Sequence, residues 1–135
     1  MEKLARKALN LIREKGWSRA GLENRGTYCL VGALACAAGW GTKQKELQDC
    51  AYDVVNTPTG QLVRRIIIEK FPEYGNEKYV APYNALWKFN DSTLGGLADV
   101  EMVLEHAALL EDLGEQPEST DVNDRRSDFD VRATD

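Results

Sequence analysis

The sequence predicts an all-α fold, a compact bundle of five or six short helices around one central apolar helix. The central helix is predicted over residues 28–38, which are apolar on every face and rich in small side chains. A helix without a polar side is a buried helix. Amphipathic segments flank this helix on both sides, and no convincing strand pattern occurs. With 135 residues, 43% of them hydrophobic and 29% charged, the chain is typical of one soluble globular domain.

The elements before and within the central helix have clear boundary signals. Residues 3–15 are predicted to be helical because apolar side chains recur on one face at helical spacing. Gly16 is expected to stop this helix, and residues 18–26 are expected to form a polar loop. Thr27 is a candidate N-cap for the central helix. Gly39 is expected to end it.

The remaining elements are predicted from helical spacing and from proline and glycine boundaries. The run at residues 66–68 is β-branched and would allow a strand, but the surrounding apolar positions are helix-spaced, so a helix is preferred. The predictions are a helix over 43–55 capped by Thr42, a break over 56–60, a helix over 61–71, a short helix from Pro82 to about Phe89, a turn over 90–96, and a last helix over 97–113 stopped by Gly114.

The acidity of the chain lies in its C-terminal segment. Residues 115–135 hold seven of the 22 acidic side chains and three of the 17 basic ones, whereas residues 1–114 are almost neutral. The segment has few apolar residues and is expected to be a disordered acidic tail on a single domain over 1–114. A nearly neutral body without a basic stripe argues against general nucleic-acid binding.

Cysteine usage and hydropathy predict a cytoplasmic protein without a cofactor. The three cysteines have no paired spacing and are expected to be reduced thiols rather than a disulfide framework. One histidine and no Cys-x-x-Cys make a zinc site improbable. No apolar run has transmembrane length, and residues 1–15 lack the apolar centre of a signal peptide.

Cys29 is the candidate nucleophile, because it stands where a helix N-terminus would favour the thiolate. It would need His106 as base, with Asn90 or Asp91 to orient the imidazole. The structural alternative, a small apolar residue at the start of a core helix, is preferred for Cys29. His106 is then a histidine at the edge of an apolar face.

Two roles are considered for Asn90 and Asp91: forming a cap or turn, and facing the start of the central helix. Both residue types commonly cap helices or form turns. Alternatively, both face the N-terminus of the central helix, beside Cys29. A carboxylate at that position would raise the pKa of the thiol and so disfavour the reactive thiolate. It would therefore indicate a structural role rather than a catalytic one.

Two further groups are candidate binding residues. The Arg64-Arg65 pair could hold a phosphate, although no glycine-rich loop precedes it. Aromatic side chains would form a protein-binding patch if they cluster on the surface, since such residues dominate binding hot spots. The candidates for that patch are Tyr79, Tyr83 and Trp87.

Three short motifs resemble those of a small uncharacterised family of actinobacterial and actinobacteriophage proteins. They are Gly16-Trp17, an aromatic-Cys-Leu-x-Gly-Ala-Leu helix start at residues 28–34, and an aromatic-Asn-Asp turn at residues 89–91, followed by a helix that begins near Asp99. The similarity covers about residues 4–113. It implies an intracellular protein with an actinobacterial or phage host, and it implies no established activity. His106 is not part of this pattern.

The function expected from these observations is a non-enzymatic binding or accessory protein, encoded by a phage and acting on a host protein. The alternatives are a cysteine-dependent hydrolase or transferase that uses Cys29, and a small-ligand or nucleotide-sequestering protein that uses Arg64, Arg65 and the aromatic loop. A protein partner is expected, and the oligomeric state is open, with a homodimer as one option.

Overall fold

The computed structural model describes residues 3–19, 21–76 and 82–114. Within these ranges the fold is mostly helical, as predicted. The acidic tail predicted over 115–135 and the candidate residue Tyr79 lie outside the described residues. The helices are α1 (Leu4–Lys15), α2 (Leu30–Ala37), α3 (Gln44–Val55), α4 (Pro58–Lys70), α5 (Pro82–Ser92) and α6 (Leu97–Asp112), with a 3-10 turn at Pro72–Gly75.

Helix α2 is the buried helix that the sequence predicts. Every residue from Leu30 to Ala35 is buried. Helix α2 packs against α1, α3 and α5, while α6 lies across α1 and α4. Because α2 has no polar face, its burial on several sides at once removes apolar surface from water, which is the main stabilising contribution to such a core.

The predicted absence of strands is wrong at one place. Two short strands, β1 (Glu23–Asn24) and β2 (Thr27–Tyr28), form an antiparallel hairpin. Strand β1 lies in the segment predicted to be a loop, and β2 replaces the predicted N-cap and first residue of the central helix, which begins at Leu30 instead. Arg25 and Gly26 both have positive φ, 53° and 83°, which is the backbone of the tight two-residue turn that joins such strands. The sequence pattern misses the hairpin because two-residue strands are too short to show alternation.

Several predicted helix boundaries are also corrected. Helix α4 begins at Pro58, inside the predicted break, because Thr57 accepts a hydrogen bond from the Gly60 backbone N–H at 3.2 Å and acts as its N-cap. Proline is favourable at the first helical position. The run at residues 66–68 is helical, as preferred. Helix α3 has Lys43 rather than Thr42 at its N-cap position. Helix α5 continues to Ser92 and so includes the first three residues of the turn predicted over 90–96.

Four ion-pair contacts join α1 to α6 along the surface. Arg6 contacts Glu105 and Asp112 at 3.1 and 3.2 Å, and Arg13 contacts Glu101 and Glu105 at 3.2 and 3.7 Å. Such exposed pairs contribute little each, so the α1–α6 contact depends on its buried apolar face. None of the helices that the structure describes is long and apolar enough to cross a membrane.

Candidate functional site

The N-terminus of α2 lies inside the protein, so its free backbone N–H groups need partners other than water. Cys29, and not Thr27, is the N-cap of this helix, and its Sγ accepts a hydrogen bond from the Gly32 N–H at 3.3 Å. The Leu30 N–H donates to the side-chain oxygen of Asn90 at 2.9 Å. The helix start is therefore closed by a thiol and a carboxamide.

Asn90 connects three distant parts of the chain. Its Oδ1 accepts a second hydrogen bond, from the indole Nε1 of Trp17 at 2.7 Å, and its Nδ2 donates to the Ser18 carbonyl at 3.2 Å. Asn90 is buried, and a buried amide is stable only when its polar atoms are bonded. We call Trp17, Ser18, Leu30 and Asn90 the Asn90 cluster. The structure therefore places Asn90 at the start of the central helix, as one of the two predictions for this residue proposed.

Arg19 closes the opposite side of this cluster. Its guanidinium donates to the Asn90 carbonyl at 3.2 Å and to the Thr93 carbonyl at 2.6 Å, and it lies 5.0 Å from the ring centroid of Trp17. These carbonyls belong to the C-terminal end of α5, where a positive charge is favourable. The Gly16-Trp17 motif, the Cys29 helix start and the Phe89-Asn90-Asp91 motif thus meet at one place.

The thiol of Cys29 is poorly suited to be a nucleophile. Cys29 is 5% exposed. Burial raises its pKa to about 11, an effect that the amides of Gly32 and Val31 oppose and that the charge of Asp91 increases. The thiolate is the reactive form, so the environment acts against the lowered pKa that a Cys29-dependent enzyme requires.

A small cleft opens beside Cys29. It has a volume of about 120 Å³. Its lining combines aromatic rings, side-chain amides and one carboxylate at the junction of α2, α3 and α5. We call it the Cys29 cleft, and it is lined by Gly21, Leu22, Cys29, Gln44, Gln48, Tyr83, Trp87 and Asp91.

The Cys29 cleft lies between two helical rows of side chains, which together we call the α3–α5 groove. Helix α3 contributes a row at helical spacing of four residues, Gln44, Gln48 and Tyr52, and helix α5 contributes a facing row, Tyr83, Trp87 and Asp91. The rings of Tyr52 and Tyr83 pack with centroids 4.6 Å apart. Tyr52 is 63% exposed and Trp87 is 45% exposed, so the groove presents large aromatic surface to solvent.

The other candidate residues lie elsewhere. His106 is half-buried on α6, which packs against α1 and α4, and none of the hydrogen bonds among the described residues joins it to Cys29. Arg64 and Arg65 lie on α4, half-buried and exposed respectively, and do not line the Cys29 cleft. Within the described part of the chain, no group of three or more potential metal ligands occurs.

Sequence reasoning missed the α3 side of the groove. Gln44, Gln48 and Tyr52 were not singled out, although their spacing places them along one side of an amphipathic helix. Tyr83 lines the same cleft as Cys29 and Asp91 and packs on the ring of Tyr52. Burial first, and then these three neighbours, raise the pKa of Tyr83. The sequence shows one aromatic side chain and two amides on the polar side of a helix. This pattern indicates a site only once the fold places α5 opposite these residues.

The fold and site define a small helical protein in which three motifs meet at a buried helix start, next to an aromatic groove. The model of DUF6197, a family of unknown function, matches residues 1–110 of the chain. The chain belongs to this family, as its resemblance to an uncharacterised family predicts. No curated protein and no solved structure matches the chain.

Proposed function

We propose that the protein is a non-enzymatic binding protein that holds a protein partner in the α3–α5 groove. The observation that carries this proposal is the pair of exposed aromatic side chains, Tyr52 and Trp87, on either side of one groove. Exposed aromatic patches with polar rims mark interaction sites, and Tyr and Trp are enriched among binding hot spots. The proposed partner is a protein, and a second copy of this chain in a homodimer is one option.

The setting of this function is also part of the proposal. All three cysteines are free thiols, and reduced thiols are typical of the cytoplasm, so we place the protein there. The resemblance of its motifs to an actinobacterial and phage family supports a phage-encoded protein that acts on a host protein. The acidic side chains of residues 115–135 would add affinity for a basic surface.

The test is a comparison of partner capture by matched variants. The double variant Tyr52→Ser and Trp87→Ser removes the exposed aromatic surface of the groove. Trp40→Ser is the control, because Trp40 is 42% exposed and does not line the Cys29 cleft. A protein captured from an actinobacterial lysate is then purified and its direct binding to each variant is measured.

We expect the wild type and Trp40→Ser to bind this protein with equal affinity, and the double variant to lose at least about 30-fold, which corresponds to about 2 kcal/mol. Equal binding by all three variants, or no direct binding by the wild type, would overturn the proposal. Circular dichroism spectra check that each variant retains its helices.

The alternative of a hydrolase or transferase has one supporting observation, which is that Cys29 lines an open cleft beside Asp91. The raised pKa of Cys29, and the lack of a hydrogen bond to His106 among the described residues, weigh against this alternative. Alkylation of each cysteine as a function of pH distinguishes the two. Rapid modification of Cys29 near neutral pH in the folded protein would support the enzyme; we expect Cys29 to react only after unfolding.

The second alternative is a small-ligand or nucleotide-sequestering protein. The Cys29 cleft is large enough for a small group, but Arg64 and Arg65 do not line it, so the structure offers that cleft no basic side chain from α4 for a phosphate. A thermal screen with nucleotides tests this alternative, because a ligand that binds only the folded state raises the melting temperature. We expect no such shift.

A further inference from the structure

The chemistry of the Cys29 cleft indicates what kind of group fits it. Trp87 and Tyr83 provide aromatic surface, Gln48 provides an amide, and Asp91 provides a carboxylate, while the side-chain oxygen of Gln44 already accepts the Glu23 N–H at 2.8 Å. A buried water needs roughly 10–15 Å³ of such space, so a cavity of about 120 Å³ accommodates the few heavy atoms of one side-chain head group. It is too small for a nucleotide.

The carboxylate of Asp91 is not neutralised by the protein itself. One of its oxygens accepts a hydrogen bond from Asn90 Nδ2 at 3.2 Å. The ion pairs among the described residues all join α1 to α6, and none of them engages Asp91. A half-buried carboxylate in an open cleft is a favourable partner for a cation from outside.

The two helices that line most of the cleft carry a net negative charge. Helices α3 and α5 together hold four carboxylates and two lysines. The charge of Asp91 is among the causes that raise the pKa of both Cys29 and Tyr83, as a negative potential in the cleft requires. Charge complementarity therefore favours a cationic occupant.

The aromatic ring of Trp87 already attracts a cation. The Nζ of Lys88 lies 5.4 Å from the ring centroid of Trp87, within the range of a cation–π interaction. Among biological cations, a guanidinium is planar, stacks on aromatic faces, and donates in pairs to a carboxylate and to amide oxygens. The lining of the Cys29 cleft offers all three kinds of partner.

We infer that the Cys29 cleft is a receptor for an arginine side chain, which the partner in the α3–α5 groove presents to Asp91, Trp87 and Tyr83. This inference rests on the proposed function and specifies the partner's chemistry: a basic segment with an arginine at the contact. Lysine fits less well, because its ammonium is a compact, strongly hydrated charge that cannot engage a carboxylate through two parallel hydrogen bonds.

The test uses the full chain and defined probes. The probes are Nα-acetyl-arginine methylamide, the matching citrulline derivative, which has the same shape without the charge, and the matching lysine derivative. Backbone and indole N–H signals are followed by two-dimensional NMR during titration to about 100 mM, which detects dissociation constants in the millimolar range.

We expect saturable shifts at the Trp87 indole and at the Gln48 and Asp91 amides with the arginine probe, a weaker response with lysine, and none with citrulline. Asp91→Asn should weaken arginine binding at least about tenfold. Glu69→Gln is the charge-matched control, since Glu69 is exposed on α4 and should leave the affinity unchanged. Trp87→Leu, which keeps an apolar side chain, should also weaken it.

The inference is overturned if citrulline shifts the same signals as arginine, if no signal of the cleft shifts, or if Asp91→Asn binds arginine as the wild type does. Partner capture by the variants distinguishes failure of the arginine-receptor inference from failure of the proposed binding function. A partner lost by Trp87→Ser but bound normally by Asp91→Asn contradicts the arginine receptor alone. A partner bound normally by both, and by the double variant, contradicts both proposals.

Discussion

The indole Nε1 of Trp17 donates to the side-chain oxygen of Asn90 across 2.7 Å, and the same oxygen accepts the Leu30 N–H. One carboxamide thus fixes the end of α5 against the start of α2 and against the segment after α1. The three motifs that gave the chain its family resemblance are joined here by hydrogen bonds. Their combination is explained by the need to close a buried helix start.

The first prediction concerns the removal of this carboxamide. Asn90→Ala leaves the Leu30 N–H and the Trp17 indole N–H without an acceptor, and each unsatisfied buried donor costs about 1–3 kcal/mol. We expect a loss of about 3 kcal/mol in the free energy of unfolding, measured by urea titration. Asn84→Ala, at an exposed position of the same helix, is the control and should cost less than about 1 kcal/mol. A loss that small for Asn90→Ala would contradict the assigned role.

The second prediction concerns Gly32 in α2. A Cβ added there would overlap the carbonyl oxygen of Leu22 and lie 2.8 Å from its carbonyl carbon, and the same carbonyl accepts the Cys29 N–H at 3.2 Å. Because backbone atoms cannot move aside cheaply, Gly32→Ala should destabilise the fold by more than about 3 kcal/mol or prevent folding.

Gly39→Ala provides a comparison for Gly32→Ala. Gly39 has a φ of 86° and no atom within 4 Å of an added Cβ, so only backbone strain of about 1 kcal/mol is expected. Thermal unfolding of both variants, followed by circular dichroism, gives the ranking. Equal melting temperatures for the two variants would refute the close approach of Leu22 to α2.

The third prediction concerns Glu111 on α6. Its carboxylate accepts the Ala5 N–H at 3.0 Å and the hydroxyl of Thr59, and so caps α1 in place of Lys3, whose side chain makes no cap hydrogen bond. Glu111→Ala should cost about 1–2 kcal/mol in chemical denaturation, the usual value of a lost N-cap. Glu101→Ala, which removes only an exposed ion pair, should cost less than about 1 kcal/mol.

The fourth prediction concerns the pH dependence of stability from Cys29. Its pKa is about 11 in the folded protein, against an ordinary value of 9.0. The folded state therefore holds the thiol proton more tightly than the unfolded chain does. This stabilisation is complete below pH 9 and is lost as the pH rises through 11, with a loss of about 1 kcal/mol by pH 10.

Cys29→Ser removes this contribution, because a serine hydroxyl does not ionise in this range and can still cap α2. The free energy of unfolding at pH 7.5 and pH 10 should fall less in Cys29→Ser than in the wild type. Tyr28, whose pKa burial raises to about 12, contributes equally to both. An identical fall in Cys29→Ser and the wild type would count against the buried thiol.

The positions and types of most helices could be predicted from the sequence. The apolar run at residues 28–38 predicted burial because no polar face was available, and helical spacing predicted a helix over residues 66–68 despite its β-branched side chains. The hairpin at Glu23–Tyr28 could not be predicted. Its strands contain two residues each, and their pairing depends on the contact of Leu22 with Cys29 and Gly32 rather than on local preference.

The sequence by itself determined which segments are helical and that the apolar one is buried, because periodicity and composition are local properties of the chain. Only the tertiary structure decided that Asn90 lies at that helix start, that His106 lies on a helix packed against α1 and α4, and that Tyr52 faces Tyr83. The reason is physical: Asn90 is 60 positions from Leu30 along the chain, and Tyr52 is 31 positions from Tyr83. Such separations leave no trace in local patterns and arise only when the apolar faces of the helices pack together.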